Sequence, residues 1–223
     1  MTRPSLVLVH SPVLGPASVQ STARALSGLG WICVVPSLTE AGSVDEHVAA
    51  AAAGVADGSV LIAHSGAGPL VPAIATTARG RVAGSVFVDA RLPNRAGSTP
   101  MAEPEMLEFL EALAVDGVVP PWSQWWGEET FAVLAPRISQ ADGIRTEMRR
   151  LPLDFFRSEV PVPQGWPDTP CAYLQLSAAY DAEATEARAR GWTVASLDGT
   201  HLDIATRPGE TAAAIDRLLG QLP

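Results

Sequence analysis

The sequence has 223 residues, of which 47% are hydrophobic and 17% are charged. This length and apolar content suit one domain with a well-filled core, or one domain with an inserted lid. The formal net charge of −9 argues against nucleic acid and membrane surfaces as partners, because few basic side chains are present to neutralise phosphates. The first apolar run is too short for a signal-peptide core or a membrane span. We therefore expect a soluble, cytoplasmic protein.

Strand and helix patterns alternate in the first part of the chain. Short apolar runs predict strands over 5–10, 31–36, 60–63 and 81–90, and helical spacing predicts helices over 17–29, 47–55 and 69–77. Ser43 or Asp45 is suited to begin the second helix, and we expect His47 on that helix to be solvated. The alternation predicts a doubly wound, mostly parallel sheet.

The alternation stops in the segment 93–168, which has many prolines, no strand signal and a cluster of aromatic side chains. Amphipathic helical spacing is present over 104–115 and 138–151. Because a structureless insertion of this length is improbable, we predict a helical cap between a strand ending at Asp89 and one starting at Cys171. The core then consists of residues 1–92 and 169–223.

The remaining elements of the core follow the cap. Strands are predicted over 171–176 and 192–197, and helices over 182–190 and 209–219, which gives a sheet of about six strands. Three cap tryptophans are candidates for lining a pocket for an apolar ligand, although packing the cap onto the core is their more common role: Trp122, Trp125 and Trp126.

The strand over 60–63 runs directly into a turn of small residues around Ser65 and then into a helix. Such a strand–turn–helix crossing can force a serine out of a sheet as an exposed nucleophile. The flanking positions must be small, and here Ala63 and Ala67 give Ala-x-Ser-x-Ala in place of the usual Gly-x-Ser-x-Gly. The alternative is an ordinary turn in which Ser65 caps the helix.

A general base for this serine is available in His201, which follows the last predicted strand. Loops at the carboxyl ends of parallel strands open on the same edge of a sheet, so His201 and Ser65 can meet despite their separation in sequence. The four histidines are scattered singly, without metal-ligand spacing, and no Gly-rich phosphate loop follows the first strand. We therefore expect neither a metal nor a nucleotide cofactor.

The chain resembles the α/β-hydrolase family along its whole length. The resemblance is carried by the Leu-Val-His opening strand, the turn at Ser65, the Val-Phe-Val-x-Ala-x-x-Pro strand over 86–93 and the Gly-x-His loop at 199–201. The resemblance begins at what looks like the family's third strand, so we expect its N-terminal hairpin to be missing. Among members it looks most like small esterases related to plant methylesterases and hydroxynitrile lyases, which implies a catalytic triad without a cofactor.

The resemblance implies two positions for the triad acid. The family usually places it after the strand that precedes the histidine strand, where Tyr180 holds the expected position and Asp181 the next one. A minority places it after the strand following the nucleophile, where Asp89 lies. We favour Asp89, because an aspartate that ends an apolar strand needs a partner. Its alternative role is to anchor the cap, and that of Asp181 is to begin a helix.

The resemblance also implies an oxyanion hole built from two backbone amides. The first belongs to Gly66, and the second normally comes from the loop after the first strand. That loop contains Pro12, which has no N–H group to donate. If Pro12 takes the usual donor position, the hole is half-built and ester hydrolysis should be slow. If the loop is extended, Val13 or Leu14 donates instead. Pro12 and His64 are further candidates for substrate contact.

Three functions are consistent with these features. The favoured one is a serine hydrolase acting on an ester, thioester or lactone of a mostly apolar small molecule. The second is a lyase, cyclase or isomerase that uses Ser65 and His201 for proton transfer, which the proline at position 12 favours. The third is a ligand receptor with a vestigial triad.

The exposed edge strand over 31–36 also allows a dimer.

Overall fold

A computed structural model of the protein describes residues 3–140 and 143–222. Its first part contains seven elements, in chain order: β1 (Ser5–Val9), α1 (Ala17–Gly28), β2 (Ile32–Val34), α2 (Val44–Ala52), β3 (Ser59–His64), α3 (Val71–Thr77) and β4 (Val82–Val88). The predicted alternation is confirmed. Helix α2 is capped by Ser43, whose hydroxyl accepts the Glu46 backbone amide, while the Glu46 carboxylate accepts the Ser43 backbone amide.

The inserted segment is only partly helical, so the prediction of a helical cap needs correction. Its elements are β5 (Gly97–Pro100), α4 (Pro104–Leu113), β6 (Val118–Val119), α5 (Gly127–Leu134), α6 (Ile144–Glu147), β7 (Leu151–Pro152), α7 (Leu153–Arg157) and β8 (Glu159–Val162). Antiparallel pairs form between β5 and β8 and between β6 and β7. These strands are too short to show an alternating pattern, and three of them contain proline, which is depleted in strands.

The helix predicted over 138–151 is also wrong for most of its length. The structure has a 3₁₀ turn over 138–140 and the four-residue α6, while residues 141 and 142 lie outside the described part of the chain. Gly143 begins α6 with φ of +84°, a left-handed conformation that breaks a continuous helix and suits glycine.

The rest of the core consists of β9 (Cys171–Gln175), α8 (Asp181–Ala189), β10 (Thr193–Ser196), α9 (Asp203–Thr206) and α10 (Pro208–Leu219). The six core strands form one parallel sheet in the order β10-β9-β4-β3-β1-β2. Alternate residues of β1 pack into two apolar clusters, one on each face of the sheet. Burial on both faces explains why the central strands read as continuous apolar runs.

The strand order determines what surrounds the end of β3. This strand lies between β1 and β4, so the loop after β1 approaches from one side and the loops after β4, β9 and β10 from the other. Strand β2 forms one edge, where Ile32 is 64% exposed. None of the helices in the described residues is long and apolar enough to cross a membrane.

Candidate active site

Ser65 follows β3 in a strained backbone conformation. Its φ is +58°, which places a residue with a side chain in the sparsely populated left-handed region. At Gly68 a Cβ atom would overlap the Arg91 carbonyl, so the chain crosses the segment after β4 with no room for a side chain. The two backbone segments therefore approach each other at Gly68. This is one residue later than Ala67, the position that the Ala-x-Ser-x-Ala pattern indicated.

The Ser65 hydroxyl meets His201 at the carboxyl edge of the sheet. Ser65 Oγ lies 3.0 Å from His201 Nε2, and His201 Nδ1 lies 2.9 Å from Asp89 Oδ2. The hydroxyl caps neither the 3₁₀ helix that follows β3 (Ser65–Leu70) nor α3, because neither has a side-chain cap bond. The structure thus brings together Ser65, His201 and Asp89 in one hydrogen-bonded chain.

Asp89 is fully buried at the end of β4 and accepts four hydrogen bonds. Its Oδ1 accepts the amides of Leu176 and Ser177 at 2.7 and 3.1 Å, and its Oδ2 accepts the Ser177 hydroxyl at 2.6 Å as well as His201 Nδ1. These donors compensate the cost of burying a carboxylate. Asp181, the alternative acid, is the first residue of α8, and its carboxylate accepts the Gln175 side-chain amide instead.

The loop after β1 forms a tight turn beside Ser65. The Leu14 amide donates to the Ser11 carbonyl at 3.0 Å, which removes Leu14 as an oxyanion donor. The Val13 amide donates to none of the described residues, and Val13 lines the same cavity as Gly66. Pro12 packs over Gly66, with its Cδ 3.7 Å from where a Cβ of Gly66 would lie. The amides of Gly66 and Val13 are therefore the two candidates for an oxyanion hole.

A cavity of about 610 Å³ opens above Ser65, between the core and the cap. Its wall is mostly apolar and includes Trp122, Trp125 and Trp126 together with Pro12 and Val13. Trp125 donates its indole N–H to the Pro120 carbonyl at 2.8 Å, so it presents an apolar surface. Four charged residues also line the cavity: Arg91, Glu103, Glu105 and Glu183.

No protein-family model and no curated protein sequence matches the chain, but solved structures do. An extracellular α/β-hydrolase from a Paenibacillus species, described as sharing structural and functional homology with tobacco salicylic acid binding protein 2, has a TM-score of 0.80 at 17% identity, covering 97% of this chain and 99% of that one. The protein has the α/β-hydrolase fold. A pyrethroid hydrolase from Sphingobium faniae JZ-2 gives 0.70 at 19% identity and 96% of both chains. Tomato methylketone synthase I in complex with 2-tridecanone gives 0.74 at 10% identity, over 100% of both.

His64 does not face the cavity of this α/β-hydrolase fold, which corrects its prediction as a substrate contact. It is fully buried, and its Nε2 donates to the His201 carbonyl at 3.2 Å while the two rings stack at 4.7 Å. Burial lowers the pKa of His64 well below its ordinary value, so the ring is neutral. Because β3 is the central buried strand, its last residue points into the protein and supports the His201 loop.

Sequence reasoning missed two side chains near His201. The Tyr180 ring stacks on His201 with a centroid distance of 5.0 Å, and its hydroxyl lies 3.5 Å from Ser65 Oγ. Tyr180 holds the position at which the resemblance implies a triad acid, and a phenol has no carboxylate that could take that role. The other is Asp203, fully buried in the first turn of α9, with no sequence signal to mark it.

Asp203 anchors the His201 loop to the core and to the cap. It accepts the Thr200 amide and hydroxyl at 3.0 Å each, and Arg137 of the cap donates to both its oxygens at 2.9 and 3.0 Å. Burial alone would raise the pKa of Asp203, but hydrogen bonds from two threonines and Arg137 lower it to about 2. The carboxylate therefore remains charged at neutral pH and holds the residue that precedes His201.

Proposed function

We propose that the protein is a serine hydrolase that cleaves an ester, thioester or lactone of a small, mostly apolar molecule. The observation that carries the proposal is the continuous hydrogen-bonded chain from Ser65 Oγ through His201 to the buried Asp89 carboxylate, at the base of an apolar cavity. A serine hydroxyl becomes a good nucleophile when a positioned base removes its proton, and a third group must orient that base.

The geometry supports a two-step acyl transfer. His201 Nε2 takes the proton from Ser65 as Oγ attacks the carbonyl carbon, and the amides of Gly66 and Val13 stabilise the oxyanion. The imidazolium then protonates the leaving oxygen or sulfur, and a water molecule releases the acyl group by the same route in reverse. The proposed steps use only side chains, backbone amides and water.

Asp89 fixes the proton of His201 on the correct nitrogen. Two backbone amides occupy its Oδ1, so Oδ2 is left to accept the Nδ1–H of His201. With the proton on Nδ1, Nε2 carries the lone pair that Ser65 needs. The arrangement therefore keeps the base ready before the substrate binds.

The cavity supports a neutral, mostly apolar substrate. The tryptophan-rich wall favours apolar groups, whereas three glutamates line the same space. The one arginine of the lining, Arg91, already donates to the carbonyls of Pro100 and Met101 and to Glu103. This charge distribution disfavours a substrate that carries a free carboxylate. The similarity to a pyrethroid hydrolase also supports a hydrolytic reaction.

A fluorophosphonate probe and p-nitrophenyl butyrate test the proposal. We expect the probe to modify Ser65, and peptide mass spectrometry locates the modified residue. Ser65→Ala should abolish labelling and lower the turnover rate by about 10³-fold or more. Ser37→Ala, at an exposed serine, is the matched control and should behave as the wild type. Folded wild-type protein, verified by circular dichroism, that is neither labelled nor active would refute the proposal.

A non-hydrolytic reaction on the same scaffold is the second candidate. It is favoured by Pro12, whose missing N–H removes one backbone donor from the loop beside Ser65, and by the similarity to a methylketone synthase. Turnover in water labelled with oxygen-18 separates the two, since hydrolysis places one labelled oxygen in the acid product. Turnover without incorporation of labelled oxygen into the product selects the second candidate.

A further inference from the structure

Tyr180 brings a phenol hydroxyl to the nucleophile that the steps above do not use. It ends a 3₁₀ turn after β9, lines the cavity and lies 3.5 Å from Ser65 Oγ. Among the described residues its hydroxyl has no other hydrogen-bond partner. Its ring is held flat against His201, with an angle of 11° between the ring planes. The hydroxyl is therefore fixed in position and free to bond to a substrate atom.

The phenol is a donor rather than a base. Burial raises the pKa of Tyr180 above its ordinary value, and the charges of Asp89 and Glu183 raise it further. Tyr180 is therefore protonated at neutral pH. In the free protein Ser65 donates its own proton to His201, so a phenol proton directed at Ser65 Oγ meets a lone pair. That lone pair is consumed when Oγ bonds to the substrate carbon.

The strand order limits which substrate oxygen can lie near the phenol. The candidate oxyanion donors are on the β1 side of Ser65, since Gly66 lies beside Pro12 and Val13 belongs to the same loop, whereas Tyr180 follows β9 on the opposite side, next to His201. A carbonyl oxygen directed at the two amides points away from Tyr180. The substituent that faces His201, from which it receives a proton, is the leaving group, and Tyr180 lies on that same side.

We propose that the Tyr180 hydroxyl donates a hydrogen bond to the leaving-group oxygen as the ester bond breaks. The carbon–oxygen bond breaks with its electron pair moving to the oxygen, His201 transfers its Nε2 proton to that oxygen, and Tyr180 keeps its own proton. The phenol thus stabilises negative charge that develops before proton transfer is complete. This role deepens the proposed hydrolase function and rests on it.

A series of butyrate esters tests the role, because the benefit of a donor grows with the charge on the departing oxygen. Tyr180→Phe keeps the ring that stacks on His201 and removes only the hydroxyl. We expect kcat/KM, which includes acylation, to fall about 10–100-fold for ethyl butyrate. For p-nitrophenyl butyrate, whose leaving group is already stable as an anion, we expect a loss of about threefold or less. A plot of log kcat/KM against leaving-group pKa therefore becomes steeper in Tyr180→Phe.

Tyr180→Leu, which removes the ring as well as the hydroxyl, separates chemistry from packing. We expect it to add a loss of similar size for every ester, on top of the steeper dependence. Equal losses for both esters in Tyr180→Phe, or no loss for either, would overturn the role of Tyr180 while fluorophosphonate labelling of Ser65 continues. Absence of labelling and of ester turnover in the wild type would overturn the hydrolase function and this role together.

Discussion

Replacing Asp89 by asparagine tests the acid assignment directly. In the folded protein, Asp89 Oδ1 accepts the backbone amides of Leu176 and Ser177, and a backbone N–H cannot turn into an acceptor. An asparagine must therefore keep its oxygen at the Oδ1 site and place its NH₂ group at the Oδ2 site. That group faces His201 Nδ1, which lies 2.9 Å from Oδ2 in the wild type.

The consequence is the wrong imidazole tautomer. The asparagine NH₂ group is a donor, so Nδ1 must be unprotonated in order to accept its hydrogen bond. The proton of the neutral His201 ring is then on Nε2. Nε2 then has no lone pair for Ser65, and we expect kcat to fall by about 10³–10⁴-fold. The fold should persist, because the asparagine NH₂ can donate to the Ser177 hydroxyl, which accepts as well as donates.

Steady-state hydrolysis of p-nitrophenyl butyrate measures the effect, with thermal unfolding as a check on the fold. Asp181→Asn is the matched control, since the Asp181 carboxylate bonds only to the Gln175 side chain in the described structure. We expect that variant to stay within about threefold of the wild type. Activity of Asp89→Asn within tenfold of wild type would contradict the tautomer argument, and so would an equal loss in Asp181→Asn.

Three further predictions concern stability, each measured by urea unfolding. Gly68→Ala should lower the free energy of unfolding by about 1–3 kcal/mol and reduce activity, because its Cβ overlaps the Arg91 carbonyl. Arg137→Met should cost about 1–3 kcal/mol, since it removes both hydrogen bonds to buried Asp203. Burial lowers the pKa of His10 from 6.5 to about 4. The unfolded chain therefore binds a proton that the folded chain excludes, and stability should fall from pH 6.5 towards pH 4, by about 3 kcal/mol from His10 alone.

Each of these measurements has a matched control in the chain. Gly209→Ala adds a Cβ where no atom lies within 4 Å and should leave stability unchanged or higher. Arg145→Met removes an exposed ion pair with Glu128 and should cost about 0.5 kcal/mol or less. His10→Gln should make the pH dependence shallower without removing it, because buried His64 has a lowered pKa as well. Equal effects in a variant and its control, or a pH slope unchanged in His10→Gln, would count against the corresponding argument.

The core was predictable because its signals are local. Each central strand is buried on both faces, so β1, β3 and β4 appear as apolar runs, and the intervening helices show their own spacing. The strands of the cap were not predictable. They have only two to four residues each, and their pairing depends on contacts between segments that are distant in sequence. A pairing of Gly97 with Val162 leaves no periodic signal in either segment.

His47 illustrates the same limit within a correctly predicted helix. We expected it to be solvated, yet it is fully buried, with Nδ1 2.7 Å from the Ser43 carbonyl and its ring 4.9 Å from the Phe155 ring. Helix α2 is rich in alanine, so its sequence shows little contrast between a buried and an exposed face. Phe155 belongs to the cap and lies more than a hundred residues away in sequence. The sequence of the helix alone therefore gives no indication that Phe155 buries His47.

The candidate site was predictable to the extent that topology alone determines it. Ser65 and His201 follow strands of one parallel sheet, and the rule that such loops share an edge was sufficient to bring them together. Asp89 was favoured over Asp181 because an aspartate that ends an apolar strand needs a partner, whereas the identity of its partners, His201 and the amides after β9, depends on packing. Tyr180 was overlooked because its contribution depends on ring stacking and on a distance to Ser65 that no motif encodes.

Asp89 connects the two halves of the candidate site. Its Oδ2 faces His201, while its Oδ1 accepts the amides of Leu176 and Ser177 at the base of the loop that carries Tyr180. One buried carboxylate therefore positions both the imidazole and the loop from which the phenol projects. A carboxylate in the β9 loop, the usual place in this fold, would take the position from which the phenol reaches the nucleophile. With Asp89 as the proposed acid at the end of β4, that position is left to a hydrogen-bond donor, because one residue cannot supply both groups.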